Sequence, residues 1–464
     1  MKEESNSFLE GSVTFSLMKF AAPVLAAMVM QALYGAVDLW AVGRFATAAD
    51  ISAVSTGSQT MQIIIGAVTG LSMGTTVLLG QRIGSGDDDG AAETVGNSII
   101  VFAVLAIVLS IVMFAAAPGI ASLMKAPGEA FSQTTDYIRI CGGGSLCIVA
   151  YNLLSAVFRG MGDSRSPLIF VTIACIVNIA GDIILVYGFG MGAAGAAVAT
   201  VAAQAVSICM SFILIKLKGL PFALRKHHLR LRRKTTAAVI RLGAPIALSD
   251  TCSEVSYLII IGLVNTLGVT PSAGVGIAEK LVIFIFLIPM AYMQSVSAFV
   301  AQNIGAEKFR RARRAMWSGM ASALVLGCIM FYISFFHGDA LSSLFISDAE
   351  SAGSQAVIAA SAEFLKATSF ECLLLSAAYC MTGYFNGCGR TTFVMAQGLC
   401  AIFLVKIPYA WYATVQETPR LFNIGLSTAF AATFTLQVCL VYYMYVRKKI
   451  WRRNMRSRFR ERRM

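Results

Sequence analysis

The sequence predicts an all-α polytopic membrane protein, twelve transmembrane helices in two six-helix lobes, and three observations carry that prediction. Charged residues fill only 13% of the 464 positions and hydrophobic residues 57%, with a mean hydropathy of +0.73. A soluble globular chain carries about a quarter charged residues, so this composition belongs to a membrane. Apolar runs of about 20 residues recur along the whole length, each able to cross roughly 30 Å of hydrocarbon as a helix. The second half then repeats the first.

The spans follow in order. Span one, 16–41, carries Pro23 near its start and Asp38 near its end. Span two, 52–79, places Gly66, Gly70 and Gly74 four apart, a face on which another backbone can approach closely. Span three is 95–117 and span four 133–157. Span five, 167–188, reads IACIVNIAGDIILVYG from Ile173, with Asn178 and Asp182 four apart. On a helix that spacing sets both side chains on one face, one turn above the other. An acid in hydrocarbon costs about 2.5–3.5 kcal/mol on insertion scales, so its presence needs a reason. Span six, 193–215, opens on the small-residue run GAAGAAVAT, which ends at Thr200. The remaining spans are 239–266, 274–303, 316–337, 356–384, 393–414 and 421–446.

The opening residues MKEESNSFLEGS are mildly acidic and lack a small-residue cleavage site, so no removable signal peptide is expected. The eleven cysteines fall mostly inside spans with no CxxC pair, and read as small core hydrophobes. The net charge of +13 is concentrated in three places. Nine basic residues follow span six from Lys216 to Arg241, five follow span eight between Lys308 and Arg314, and ten occupy the tail RKKIWRRNMRSRFRERRM. With twelve alternating spans all three lie on one side, and the other side holds only Arg44, Lys125 and Arg420. Positive loops stay cytoplasmic, so both termini are expected inside a plasma (inner) membrane that the chain crosses many times. The basic linker and tail then lie against anionic lipid headgroups rather than nucleic acid.

Three pairs of segments show the repeat. FAAPVLAAM from Phe20 answers LGAPIALSD from Leu242, with Pro23 matching Pro245. GQRIG from Gly80 answers AQNIG from Ala301, and FRGMGDSR from Phe158 answers FNGCGRTT from Phe385. The offsets are 222, 221 and 227 residues, so the register holds with one small insertion. Six spans per repeat is an even number. Both halves therefore enter the membrane in the same orientation, related by a pseudo-two-fold axis along the membrane normal. The expected division is an N-lobe at 1–215, a basic inter-lobe linker at 216–236, a C-lobe at 237–446 and a basic tail at 447–464.

Several motifs can be set aside. Gly190, Gly192 and Gly195 fit GxGxxG but link two membrane spans, with no acid about twenty residues on to hold a ribose. Asp87–Asp89 with Gly90 lacks the remaining ligands of a calcium loop. His227 and His228 lie in a basic stretch unsuited to metal binding. No nucleophile–base signature and no phosphate-binding loop with a lysine is visible, so neither an enzyme nor an ATP-driven pump is expected, and no cofactor.

What remains is a polar set in the first lobe: Asp38, Asn178, Asp182 and Thr200. Asp38 is 19 residues beyond Lys19, Asp182 is 17 beyond Arg165, and Thr200 is 16 before Lys216. At 1.5 Å per residue they lie about 29, 26 and 24 Å from the cytoplasmic anchors, at one level in the outer half. Two carboxylates, an amide oxygen and a hydroxyl at one depth can hold a proton or a sodium ion. The repeat offsets set Ile260, Val405 and Tyr409 opposite Asp38, Asn178 and Asp182, so only one lobe carries the acids. A purely architectural need would be met in both. The other reading is that helix-end partners near the outer surface satisfy them.

At this point the chain resembles the MATE (multidrug and toxic compound extrusion) family over essentially its full length. The residues that carry the resemblance are VDLWAVGR from Val37, FRGMGDSRSP from Phe158, the Asn178–Asp182 pair, GMGAAGAAVAT from Gly190 and AQNIGAEKFRRA from Ala301. It implies cation-coupled export of amphipathic, often cationic, compounds by alternating access of two lobes. It also implies a coupling site at Asp38, Asn178, Asp182 and Thr200, with Tyr137 and Asn152 as companions on span four. Pro23 matches the proline at which span one bends in the DinF-like branch, a conformational hinge. Glu254 matches a span-seven acid of a sodium site in the NorM-like branch, while the companion stretch in span ten, LLLSAAYCMTGY, holds no acid. That difference favours the DinF-like arrangement. Glu254 is left to act alone, to line a substrate cavity, or to pair with Lys280 or Lys406.

A cation-coupled antiporter working as a monomer is the first expectation, its coupling ion a proton or sodium. The alternative is a lipid-linked precursor flippase of the same wider superfamily. That would call for several basic residues in the spans, where only Lys280 and Lys406 lie. A membrane enzyme or receptor would need a catalytic constellation or an appended signalling domain, and neither is visible.

Overall fold

The computed structural model describes residues 8–346 and 351–461, with side chains as far as Lys448. Most of the tail expected on lipid lies outside the described side chains. All twelve predicted spans are helical. Span one runs Val13–Phe45, span two Ala48–Gly84, span three Asp88–Leu123, span six Gly192–Lys218 and span seven Arg233–Asn265. Span eight runs Val269–Gly305, span nine Phe309–Phe336, span ten Ala352–Gly387 and span twelve Leu421–Glu461. Ten spans are long and apolar enough to cross a membrane as they stand. Span ten has the length and carries Glu363, Lys366 and Glu371.

Three spans are irregular. Span four is broken into Phe131–Gly143 and Ser145–Met161, bent by 52° at the CGGG run. Consecutive glycines weaken a helix, and here they also let neighbours in: a Cβ at Gly142 would meet Met113 at 2.8 Å, and one at Gly144 would strike Val201. Span five is α-helical over Arg165–Asp182 and turns π-helical over Ile183–Gly188. Span eleven does the same at Ala401–Lys406, between Thr391–Cys400 and Ile407–Thr414. Wide turns of this kind concentrate at functional sites.

Side chains hold the helix ends. Thr47 caps span two, taking the Asp50 amide at 3.2 Å while Asp50 takes the Thr47 amide at 3.2 Å. Asp50 also accepts the Ala193 amide at 3.0 Å and so ties the starts of spans two and six. Asp163 accepts the Arg165 and Ser166 amides at 3.0 Å and opens span five. On span three, Val104, Ile107, Val108, Ile111, Val112 and Phe114 are each exposed by half or more, the apolar face that a lipid-bathed helix presents.

The described chain forms two compact units. The first joins Met1–Val255 to Met290–Gly319 and Gly383–Met395; the second comprises Ser256–Pro289, Met320–Thr382 and Ala396–Met464. In the first, Phe102, Phe158 and Phe170 are buried, with the Phe158 and Phe170 rings 5.7 Å apart. In the second, Ile260, Val264, Phe364, Leu365 and Ile424 form the core, and a Cβ at Gly425 would meet Ala367 at 2.7 Å. Lipid tails are as apolar as leucine, so close fit rather than escape from water holds such helices together.

Part of the basic linker is docked onto the first unit. Phe222 is buried, the Arg232 amide donates to Asn97 at 2.7 Å, and the Arg232 guanidinium meets Glu93 at 2.8 Å. The flanking helices reach into the stretch expected to link the lobes, span six ending at Lys218 and span seven starting at Arg233.

Candidate functional site

Span five packs chiefly on spans six and one, and the four predicted coupling residues meet where these helices converge. Asn178 and Asp182 are fully buried and Asp38 is 6% exposed. Thr200 donates its hydroxyl to Asp38 Oδ2 at 3.2 Å. Asp182 and Asn178 are the other side-chain partners of the Asp38 carboxyl. Among the described residues, no hydrogen bond of ordinary geometry reaches Asp38 Oδ1, either Asp182 oxygen, or the Asn178 amide atoms. A buried polar atom left without a hydrogen bond is costly, and a buried carboxylate more so. The cluster is therefore built for something that neutralises it, rather than for holding helices together.

Local sequence sets this geometry. A Cβ at Gly181 would lie 2.9 Å from the Ala199 Cβ, so the residues next to Asp182 and Thr200 bring spans five and six into backbone contact. The π turn begins directly after Asp182, and its Leu185 packs on Gly195, whose added Cβ would lie 3.2 Å away. Outside this level stand Trp40, Tyr187 and Phe189, all more than half exposed, with the Phe45 and Tyr187 rings 4.7 Å apart. Aromatic side chains gather where a membrane meets water, which sets this level near one end of the spans.

Of the predicted companions, Tyr137 is buried within electrostatic reach of Asp38. Asn152 takes the Thr69 hydroxyl at 3.0 Å and donates to its own helix at Ile148 at 2.8 Å. Pro23 lies inside span one, which continues unbroken past it. Glu254 stands one turn after Asp250 on span seven, and the two acids sense each other. Lys280 is exposed on span eight. Lys406, the last residue of the span-eleven π turn, donates to Ser256 at 3.0 Å and lies 5.4 Å from the Tyr257 ring centre.

One expectation is corrected. Span ten does carry an acid: Glu371 lies two residues before the stretch LLLSAAYCMTGY, within the helix Ala352–Gly387. Its neighbours in the second unit are Lys406, which acts on it electrostatically, and the hydrogen-bonding hydroxyl of Thr428.

Sequence reasoning also passed over Tyr34 and Gln204. Gln204 Nε2 donates to the Tyr34 hydroxyl at 3.4 Å, and Tyr34 is within electrostatic reach of Asp38. The signal was present, because Tyr34 precedes Asp38 by four residues and Gln204 follows Thr200 by four, the spacing already noticed at Asn178 and Asp182. A trio of Asp89, His227 and His228 is close enough to suggest a metal. The Arg225 amide donates to His228 Nδ1 at 3.1 Å, so Nε2 carries the hydrogen and donates to Asp89 at 2.8 Å. Neither ring nitrogen of His228 has a lone pair to give.

The sequence matches the MatE family over residues 23–184 and 245–412, one stretch in each repeat. It is similar to the "Probable multidrug resistance protein YoeA" of Bacillus subtilis (strain 168), 24% identical over 447 residues that cover 94% of this chain and 95% of that protein. It is also similar to the "FAD transporter" of Shewanella oneidensis, 23% identical over 453 residues, covering 95% and 96%. A solved structure of a MOP superfamily transporter from Pyrococcus furiosus has a TM-score of 0.86 at 19% identity, over 96% of this chain and 97% of that one. That likeness establishes the fold.

Proposed function

The chain belongs to the MATE family, and we propose that it is a cation-coupled antiporter that exports amphipathic, often cationic, compounds by alternating access. The observation that carries the coupling is the buried acid pair. Asp38 and Asp182 come from different helices, meet at one level, and have only Thr200 as a hydrogen-bond donor of ordinary geometry among the described residues. A proton shared between the two carboxyls halves the negative charge of the pair and relieves their mutual repulsion. Sodium is served equally well by the same oxygens together with the Asn178 amide, since hard cations take oxygen ligands. Loading changes a buried charge on the helix that contains Pro23, enough to bias two conformations that differ by a few kcal/mol.

In this reading the protein crosses a plasma membrane with both termini in the cytoplasm. The lobes 1–215 and 237–446 are the moving parts, and the exposed basic residues of the linker face anionic headgroups. The test is ethidium efflux from vesicles holding the purified protein, with a proton or a sodium gradient imposed in turn. Efflux driven by one gradient and abolished by its collapse supports the reading and names the ion. Efflux at equal rate with both gradients collapsed overturns it.

A further inference from the structure

Two glutamines make the same contact twice, once in each direction. Gln81 Nε2 donates to the carbonyl of Gly387 at 3.0 Å, and Gln302 Nε2 donates to the carbonyl of Gly160 at 2.9 Å. Gln81 and Gln302 are equivalent residues of GQRIG and AQNIG, and Gly160 and Gly387 are equivalent residues of FRGMG and FNGCG. Each bond therefore runs from one repeat into the other, and each is the symmetric copy of its partner. The backbones obey the same symmetry. A Cβ at Gly84 would strike the Gln302 carbonyl, and a Cβ at Gly305 would strike the Gln81 carbonyl.

Gly80 meets its own equivalent, its added Cβ lying 3.0 Å from that of Ala301, so the local two-fold passes between them. The accepting turns end at Gly162 and Gly389, with φ of +87° and +73°, a conformation that favours glycine at both. All of these residues belong to the first compact unit. They lie at the end of the helices from which the basic stretches depart, Lys308 following Gly305 by three residues.

We propose that Gln81 and Gln302 form a reversible clasp that seals this end of the transporter and parts once in every turnover. The inference rests on the antiporter reading, because only alternating access requires the end to open. Its composition suits parting rather than permanent welding. The closest backbone crossing is made by Gly80, Gly84, Ala301 and Gly305, and the two side-chain bonds are neutral amide–carbonyl contacts. Such bonds contribute about 0.5–1.5 kcal/mol each when exchanged against water. Small residues fix the crossing, and the paired glutamines set its register.

A disulfide tests this directly. Gly80→Cys combined with Ala301→Cys brings two thiols within slight adjustment of the roughly 3.5–4.5 Å Cβ separation that a disulfide spans. Ethidium efflux is measured in vesicles on the reduced protein, after copper-phenanthroline oxidation, and after dithiothreitol. Each single variant controls for the eleven native thiols, and peptide mass confirms the cross-link. The expected result is efflux in the reduced state, a loss of tenfold or more when cross-linked, and recovery on reduction.

Undiminished efflux by the cross-linked protein overturns the clasp as a gate and leaves the antiporter reading standing. If the double cysteine variant does not fold, Gln81→Met with Gln302→Met decides. Several-fold slower efflux and faster hydrogen exchange in 80–84 and 301–305 support the clasp, and wild-type values for both sink it. If wild-type protein fails to move ethidium under either gradient, the antiporter reading is what fails, and the exchange measurement still judges the contact.

Discussion

Asp182 concentrates the functional chemistry in one side chain. Neither of its oxygens has a hydrogen bond of ordinary geometry among the described residues, and it is fully buried. Asp182→Asn keeps the volume and hydrogen-bonding capacity and removes only the group that takes up a proton or faces a cation. We expect it to abolish gradient-driven ethidium efflux, by a hundredfold or more, while insertion and melting temperature stay near wild type. A variant that pumps at the wild-type rate would take Asp182 out of the mechanism. The acids of this site were legible because a charge in an apolar span is conspicuous. Tyr34 and Gln204 were not, because an uncharged polar residue in such a span is ordinary until its neighbours are known. Glu371 escaped because it sits just outside the stretch that was searched for an acid.

At the level of elements, the site depends on how closely span five approaches span six. Gly181 and Ala199 set that distance, so Gly181→Val must push the helices apart beside Asp182 and Thr200. Overpacking typically costs about 1–3 kcal/mol. The expected outcome is a lower melting temperature together with efflux reduced tenfold or more; unchanged efflux would show that the site tolerates wider spacing. Span one makes a different prediction. Pro23 cannot donate a backbone hydrogen bond to the preceding turn, which leaves a weak point in the helix that carries Asp38. Pro23→Ala should stiffen it and slow turnover several-fold with substrate affinity kept within about twofold. Affinity and efflux lost in equal measure would make Pro23 architecture. All twelve spans were legible from apolar length, but the break at Gly144 and the two π turns were not. Hydropathy records which face is apolar and is blind to which carbonyl an amide bonds.

At the scale of the whole molecule, two copies of one plan place their acids differently. In the first, Asp38 and Asp182 make no salt bridge among the described residues. In the second, Ile260, Val405 and Tyr409 replace the polar set, and an acid on span ten stands beside a lysine on span eleven. That duplication was legible because the motifs recur at nearly constant offset; the division of charge needed the fold, which sets Lys406 within electrostatic reach of Glu371. A mobile cation can load and leave, whereas an ammonium on a side chain cannot, so we expect a structural role for Lys406 beside Glu371. Lys406→Met should strand the partly buried Glu371 carboxylate and lower stability by about 1–3 kcal/mol, between the exposed and fully buried limits for a broken pair. A thiol-reactive dye reads this as a drop in melting temperature, because Cys141, Cys175, Cys372, Cys380 and Cys439 are buried until the protein unfolds. Adding Glu371→Gln removes the stranded charge and should recover most of the lost stability, with gradient-driven efflux returning alongside it. A double variant that melts like wild type yet exports nothing would instead place Lys406 and Glu371 in the transport step, and the second repeat would no longer be electrically passive.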